Sequence, residues 1–129
     1  MKVDLWIDKT NGKIDPKLFS AKAEAMADEL DAHSQGRKLN KRTQIRKFYD
    51  EVARLSVVAN RSPEHWDSIL PRVHMLIAKA AYAEGRGLVS PSFLEFIKHV
   101  INNIDDSRDL SLFADFFEAT MGYYRKYGA

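Results

Sequence analysis

Cysteine is missing from this chain altogether, which excludes a disulfide scaffold, a thiolate zinc site and a cysteine nucleophile. No stretch approaches the roughly 18 uncharged apolar residues that a membrane-spanning helix needs. Glycine and proline are scarce, 6 and 4 in 129 residues, and neither an internal repeat nor a low-complexity tract interrupts the pattern. Charge of one sign is not in excess either: 20 Lys and Arg face 18 Asp and Glu, for a formal net charge of +2. The opening Met1-Lys2-Val3-Asp4-Leu5-Trp6 carries charges where an export signal would be apolar. The expected setting is therefore reducing and cytoplasmic, with no membrane partner. What remains is 45% hydrophobic and 29% charged, the make-up of an ordinary globule, and the length suggests one domain over residues 1–129.

What is present is helical periodicity. Val3, Leu5 and Ile7 alternate before the turn signal Thr10-Asn11-Gly12, so residues 1–15 read as a short extended arm or weak hairpin. Residues 16–127 read as a bundle of about five helices, an all-α fold. Asp15-Pro16 predicts a cap and first-turn proline, with Phe19, Ala23, Met26 and Leu30 facing inward and Gly36 ending the helix. Asn40 or Thr43 is expected to cap the second helix, whose stripe is Ile45, Phe48, Val52, Leu55 and Ala59, with Tyr49 on its edge. Ser62-Pro63 opens the third, in which Pro71 is expected to kink the helix or split off a first turn, and Gly85-Arg86-Gly87 ends it. Ser90-Pro91 opens the fourth, with Phe93, Phe96, Ile97, Val100 and Ile101 inward. Asp109 is expected to begin the fifth, with Phe113, Phe116, Phe117, Thr120, Met121 and Tyr124 inward. Amphipathic helices with short connections pack economically only as a compact bundle.

Enzyme signatures are absent. His33, His65, His74 and His99 lie far apart, with none of the paired spacing that holds zinc on a helix. No nucleophile elbow appears, and Gly85-Arg86-Gly87 is too short to cradle a phosphate. Asp105, Asp106 and Asp109 read as a helix start, where acids favour the macrodipole. The sequence offers no reason to expect catalysis, a metal or a cofactor.

The even charge balance hides an uneven distribution. Residues 36–54 hold Arg37, Lys38, Lys41, Arg42, Arg46, Lys47 and Arg54 against only Asp50 and Glu51. A localised positive segment is what a polyanion site needs; an unbalanced solvated helix face is the other reading. At about 100° per residue, Arg42 and Arg46 fall beside Tyr49, while Lys47 and Arg54 flank the other side of the same helix. Lys41 and Arg42 stand in the first turn, where cations oppose the macrodipole at a cost of a few tenths of a kcal/mol. A phosphate site there would account for that placement.

Within this segment, Thr43-Gln44-Ile45-Arg46-Lys47-Phe48-Tyr49 resembles a Thr-x-Gln-[Leu/Ile]-Arg-Lys-[Phe/Tyr] signature. It belongs to the small subunit of the type III-A CRISPR effector, the Csm complex. Lys79-Ala80-Ala81-Tyr82-Ala83-Glu84-Gly85-Arg86 resembles the second block of that family, Lys-x-x-Tyr-Ala-x-x-Arg. Phe113-Ala114-Asp115-Phe116-Phe117-Glu118-Ala119, with Tyr123 and Tyr124, resembles its third. The three blocks run in order from about Lys38 to Lys126, and residues 1–35 carry less of the likeness.

The resemblance implies a small helical subunit without catalytic function, several copies of which stack along a filament of backbone subunits for antiviral defence. They line the groove where guide RNA pairs with target RNA. Implied partners are the two RNAs, the backbone and large subunits, and other copies of itself, as a filament or homodimer. Carried over, the implied RNA-binding residues are Arg46 and Lys47, then Lys79 and Arg86, with Arg125 and Lys126 from the last block. Lys38, Lys41 and Arg42 join them on charge geometry alone. For Arg46 the other reading is an internal ion pair; Gln44 reads equally as a cap, Tyr49 as a core-edge residue, and Tyr82 and Glu118 as bonds within the bundle. Four phosphate contacts on a single strand would give log affinity against log salt a slope near −3. Two other classes stay in view. A helical protein–protein adaptor with a basic face would use the same surface. A helix-turn-helix DNA reader would need a better third helix than one opening with Pro63, Glu64, Trp66 and Asp67.

Overall fold

The structure, a computed structural model, describes residues 2–128, so Met1 of the arm and Ala129 lie outside the described residues. The helices are α1 (Ala23–Ala32), α2 (Arg42–Arg61), α3 (Trp66–Gly85), α4 (Pro91–Asn102) and α5 (Ser107–Tyr124). A π-helical turn, Leu18–Lys22, leads into α1, and short 3-10 turns at Pro63–His65 and Arg125–Tyr127 precede α3 and follow α5. Among the described residues there is no strand beyond a single antiparallel bridge between Asp8 and Lys13.

One hydrophobic cluster draws on every helix. Helix α5 lies between α1 and α2, and α3 packs chiefly on α4. Phenyl rings join the two layers: Phe96 meets Phe113, Phe116 and Phe117 of α5 at centroid distances of 5.9, 6.4 and 6.0 Å, and Phe93 meets Phe48 of α2 at 5.1 Å, edge to face. Edge-to-face pairs add about 0.5–1.5 kcal/mol each beyond area burial. The inward stripes expected for α2, α4 and α5 are all buried.

Several boundaries differ from expectation. The first turn is π-helical, and its i→i+5 bonds insert one residue into the repeat. Stepping back five from Ala23, not four, reaches the inward position, so Leu18 is fully buried and Phe19 is 38% exposed. Helix α1 ends at Ala32, well before Gly36. Beyond it Gln35, Gly36 and Arg37 are all left-handed, at φ 52°, 70° and 68°. Neither Asn40 nor Thr43 caps α2; Lys41 holds that position without a side-chain bond. Helix α3 runs unbroken through Pro71, and the separate turn lies upstream at Pro63. Helix α5 starts at Ser107, capped by Asp106, with Asp109 completing a capping box.

Asn40 is instead the polar hub of the fold. It is fully buried with φ 57°. Its Nδ2 donates to Leu30 O at 3.1 Å and Ser90 Oγ at 2.8 Å, and its Oδ1 accepts from Ser90 N at 2.8 Å. Its own amide donates to Leu88 O at 3.0 Å, and its carbonyl accepts from Tyr124 Oη. The connection before α2 is thereby tied to α1, α4 and α5 at once.

The arm is fastened to the start of α5. Trp6 Nε1 donates to Asp109 Oδ1 at 2.8 Å, and Lys9 Nζ lies 2.8 Å from Asp109 Oδ2 and 3.0 Å from Asp106 Oδ2. Asp109 is buried, and the amides of Asp105 and Asp106 also donate to it. Of the alternating residues Leu5 is buried, Val3 half-buried and Ile7 66% exposed.

Candidate nucleic-acid interface

The apolar stripe of α2 faces the core, which leaves two shoulders and an outer ridge for its charges. On the α5 shoulder stand Arg42, half-buried, and Tyr49. The Tyr49 ring meets Phe117 edge to face at 5.7 Å, and its hydroxyl donates to Glu118 Oε1 at 3.4 Å. Burial, then the Glu118 carboxylate, push the Tyr49 phenol above its ordinary value. Of the alternatives left open above, Tyr49 and Glu118 thus bond to each other within the bundle. Arg46 lies on the ridge, 59% exposed, with Nε 3.8 Å from Asp50 Oδ1. That is a surface (i, i+4) pair worth about 0.3–0.5 kcal/mol, not an internal one. The side chains of Lys38, Lys41, Arg42 and Lys47 have no hydrogen-bond or ion-pair partner among the described residues.

The other shoulder of α2 faces α3 across a cleft of about 310 Å³, lined by Gln44, Lys47, Phe48, Glu51, Leu76, Lys79 and Tyr82 among others. Here the first and second sequence blocks meet, with Lys47 on one wall and Lys79 on the other. The seam continues past Glu51 and Lys79 into a second depression lined by Arg54, Arg72 and Met75. Four cations, Lys47, Arg54, Arg72 and Lys79, thus surround one carboxylate. Arg54 Nη2 lies 2.5 Å from Glu51 Oε1. That hydrogen bond, outweighing burial and aided by the charges of Lys79 and Arg72, holds the Glu51 carboxyl below the usual range. With Glu51 anionic and engaged, the seam keeps a positive excess, and the low-dielectric walls of a cleft focus such a field.

Arg86 adjoins the same cleft. Helix α3 ends in a Schellman motif: Leu88 N donates to Ala83 O at 2.9 Å and Gly87 N to Glu84 O at 3.0 Å, with Gly87 at φ 71°. Just before this turn, the Arg86 guanidinium carbon sits 5.7 Å from the Tyr82 ring centroid, and Nη1 donates to Tyr82 Oη at 3.4 Å. Lys126 is elsewhere, with Nζ 3.2 Å from Asp28 Oδ1 and 3.8 Å from Glu24 Oε2 on α1. The Asp28 hydrogen bond raises its pKa. Arg125, beside it, is exposed. The structure therefore unites Lys47, Lys79 and Arg86, places Arg42 and Arg46 across the ridge, and turns Lys126 towards α1.

Sequence reasoning passed over Arg72 as a site residue and gave Tyr82 only an internal role. The spacing Arg72, Met75, Lys79, Tyr82 at steps of three and four was the available signal, since it puts all four on one face of α3. Met75 and Tyr82 are 56% and 65% exposed, so that face is not core.

Among the described residues no group of three or more His, Asp and Glu could hold a metal ion, and no helix is long and apolar enough to cross a membrane. A comparison with protein families matches residues 13–129 to the family described as Csm2 Type III-A. The match reaches upstream of the three blocks to take in the first helix. No curated protein and no solved structure matches the chain.

Proposed function

The chain belongs to the Csm2 Type III-A family, a small subunit of the type III-A CRISPR complex, and from that premise we propose that it is a non-catalytic RNA-backbone contact lining the guide–target duplex. The observation that carries this reading is the α2–α3 seam, where Lys47, Arg54, Arg72 and Lys79 surround the single carboxylate of Glu51. Cations on flexible stems fit phosphates without reading bases, while guide pairing supplies the sequence. Arg42, Arg46, Lys38 and Lys41 extend the contact across the α2 ridge, and Arg86 extends it at the end of α3. Arg125 and Lys126 contribute least, because Lys126 is already engaged by Asp28. Residues 1–129 act as one domain, arm and bundle together, in the cytoplasm and in antiviral defence. Val57, Val58 and Met75, 49%, 38% and 56% exposed, offer apolar contact to backbone and large subunits or to further copies of the chain.

Titrating single-stranded RNA across a salt series tests the reading. About four phosphate contacts give log affinity a slope near −3 against log salt. Replacing Arg42, Arg46 and Lys47 together with Ala should weaken all RNA sequences alike while circular dichroism stays unchanged. Affinity flat across salt would overturn the proposal.

A further inference from the structure

Tyr82 is where this surface departs from a plain phosphate contact. An aromatic ring in a helical bundle normally buries its face, yet Tyr82 is 65% exposed and lines the α2–α3 cleft. It is held by Arg86, just past the end of its own helix, whose guanidinium lies 5.7 Å from its centroid, and not by the core. Below it the cleft floor is apolar, with Phe48 and Leu76, and its rim carries Lys47 and Lys79. The acid on that lining, the only one among the described residues, is Glu51, already taken by Arg54.

A phosphate alone has no use for an exposed aromatic over an apolar floor, and an apolar ligand has no use for two ammonium groups. A nucleotide uses both. Resting on the RNA-contact reading above, we propose that the cleft receives one unstacked base of the RNA strand against Tyr82, with Lys47 and Lys79 on the flanking phosphates. The volume, about 310 Å³, is at the small end of ligand clefts and suits one planar ring. Every base has a π-face, so such stacking tolerates any sequence, consistent with a subunit that leaves specificity to the guide.

The test compares two probes on the full-length chain at low salt: a uridine hexamer, and a ribose-phosphate hexamer of equal charge without bases. Stacking predicts that the wild type and Tyr82→Phe prefer the uridine hexamer by roughly 5- to 140-fold. Tyr82→Leu should bind both probes alike, with unchanged salt slope and unchanged circular dichroism. The double variant Lys47→Ala, Lys79→Ala should weaken both probes equally and flatten the slope by about 1.4. Equal wild-type affinity for the two probes, or a preference surviving in Tyr82→Leu, overturns base stacking and leaves the phosphate-contact reading standing. Failure of the wild type to bind either probe overturns both. An acidic peptide displacing the uridine hexamer from the wild type but not from Tyr82→Leu would reassign the cleft to a protein partner and also overturn the proposal.

Discussion

Replacing Asn40 by Ala should be among the most damaging single changes in the chain. The substitution deletes three side-chain hydrogen bonds, to Leu30 O, Ser90 Oγ and Ser90 N. Each contributes a net of about 0.5–1.5 kcal/mol. A buried Ser90 amide also loses its acceptor, and Ala must adopt a left-handed φ of 57° at a cost of about 1–2 kcal/mol. Together these predict a loss of about 3–6 kcal/mol, a large part of the roughly 5–15 kcal/mol typical of a domain. Urea unfolding followed by circular dichroism reads it. With an m-value near 1.5 kcal/mol/M, even about 3 kcal/mol lowers the midpoint by about 2 M. Asn40→Gly separates the two causes, since glycine accepts the left-handed backbone freely; it should recover about 1–2 kcal/mol of the loss. An Ala variant within about 1 kcal/mol of wild type, or a Gly variant no better than Ala, would refute the account of Asn40 as a strained, fully bonded hub.

Four further outcomes follow from the same geometry. Burial pushes the Asp106 carboxyl up, but the Asp109 amide and the Lys9 ammonium outweigh it and hold the group below its ordinary value. Its stabilisation is present above the unfolded carboxylate pKa near 4 and is lost as pH falls through the lower folded value; in a Trp66→Phe background, Trp6 fluorescence should change there, and a signal flat to pH 2 would contradict the clasp. Tyr124, pushed up to about 12 by burial, is an acid kept neutral by folding, so stability should decline as pH rises from about 10 to about 12; spectrophotometric titration should find a late phenol ionisation that Tyr124→Phe removes. Pro71→Ala restores a helix donor at an exposed position and should raise the thermal midpoint by the equivalent of about 1–3 kcal/mol; a lower midpoint would mean that α3 packing depends on the proline. Arg46→Ala should cost no more than about 0.5 kcal/mol in urea unfolding, as an exposed pair does, and a loss above about 1 kcal/mol would give Arg46 a structural duty.

The buried stripes of α2, α4 and α5 are legible because side chains at three- and four-residue spacing share one helix face, and Ser90-Pro91 opens α4 as expected. Phe19 reads as inward at a four-residue step, but a single π-turn shifts the repeat by one residue, and nothing local in Leu18–Lys22 announces it. Asn40 reads as a cap because Asn before a helix commonly is one; its partners Ser90 and Leu88 lie 50 and 48 positions away, beyond any local pattern. The Lys47–Lys79 pairing is out of reach for the same reason, since the two residues stand on different helices whose packing no local pattern shows. Charge density along residues 36–54 did locate one wall of the cleft, because charge is countable without knowing the packing.

The clasp between Trp6 and Asp109 joins residues 103 positions apart, and that separation imposes an order of events. During synthesis the arm emerges long before α5 exists, so its indole and the Lys9 ammonium have nothing to hold until the last helix is made. Contacts between such distant segments carry the largest loop-closure cost and form late. The clasp is therefore among the last contacts open to the chain, and a polypeptide stalled before Ser107 would keep only the arm's contact between Asp4 and His99 on α4.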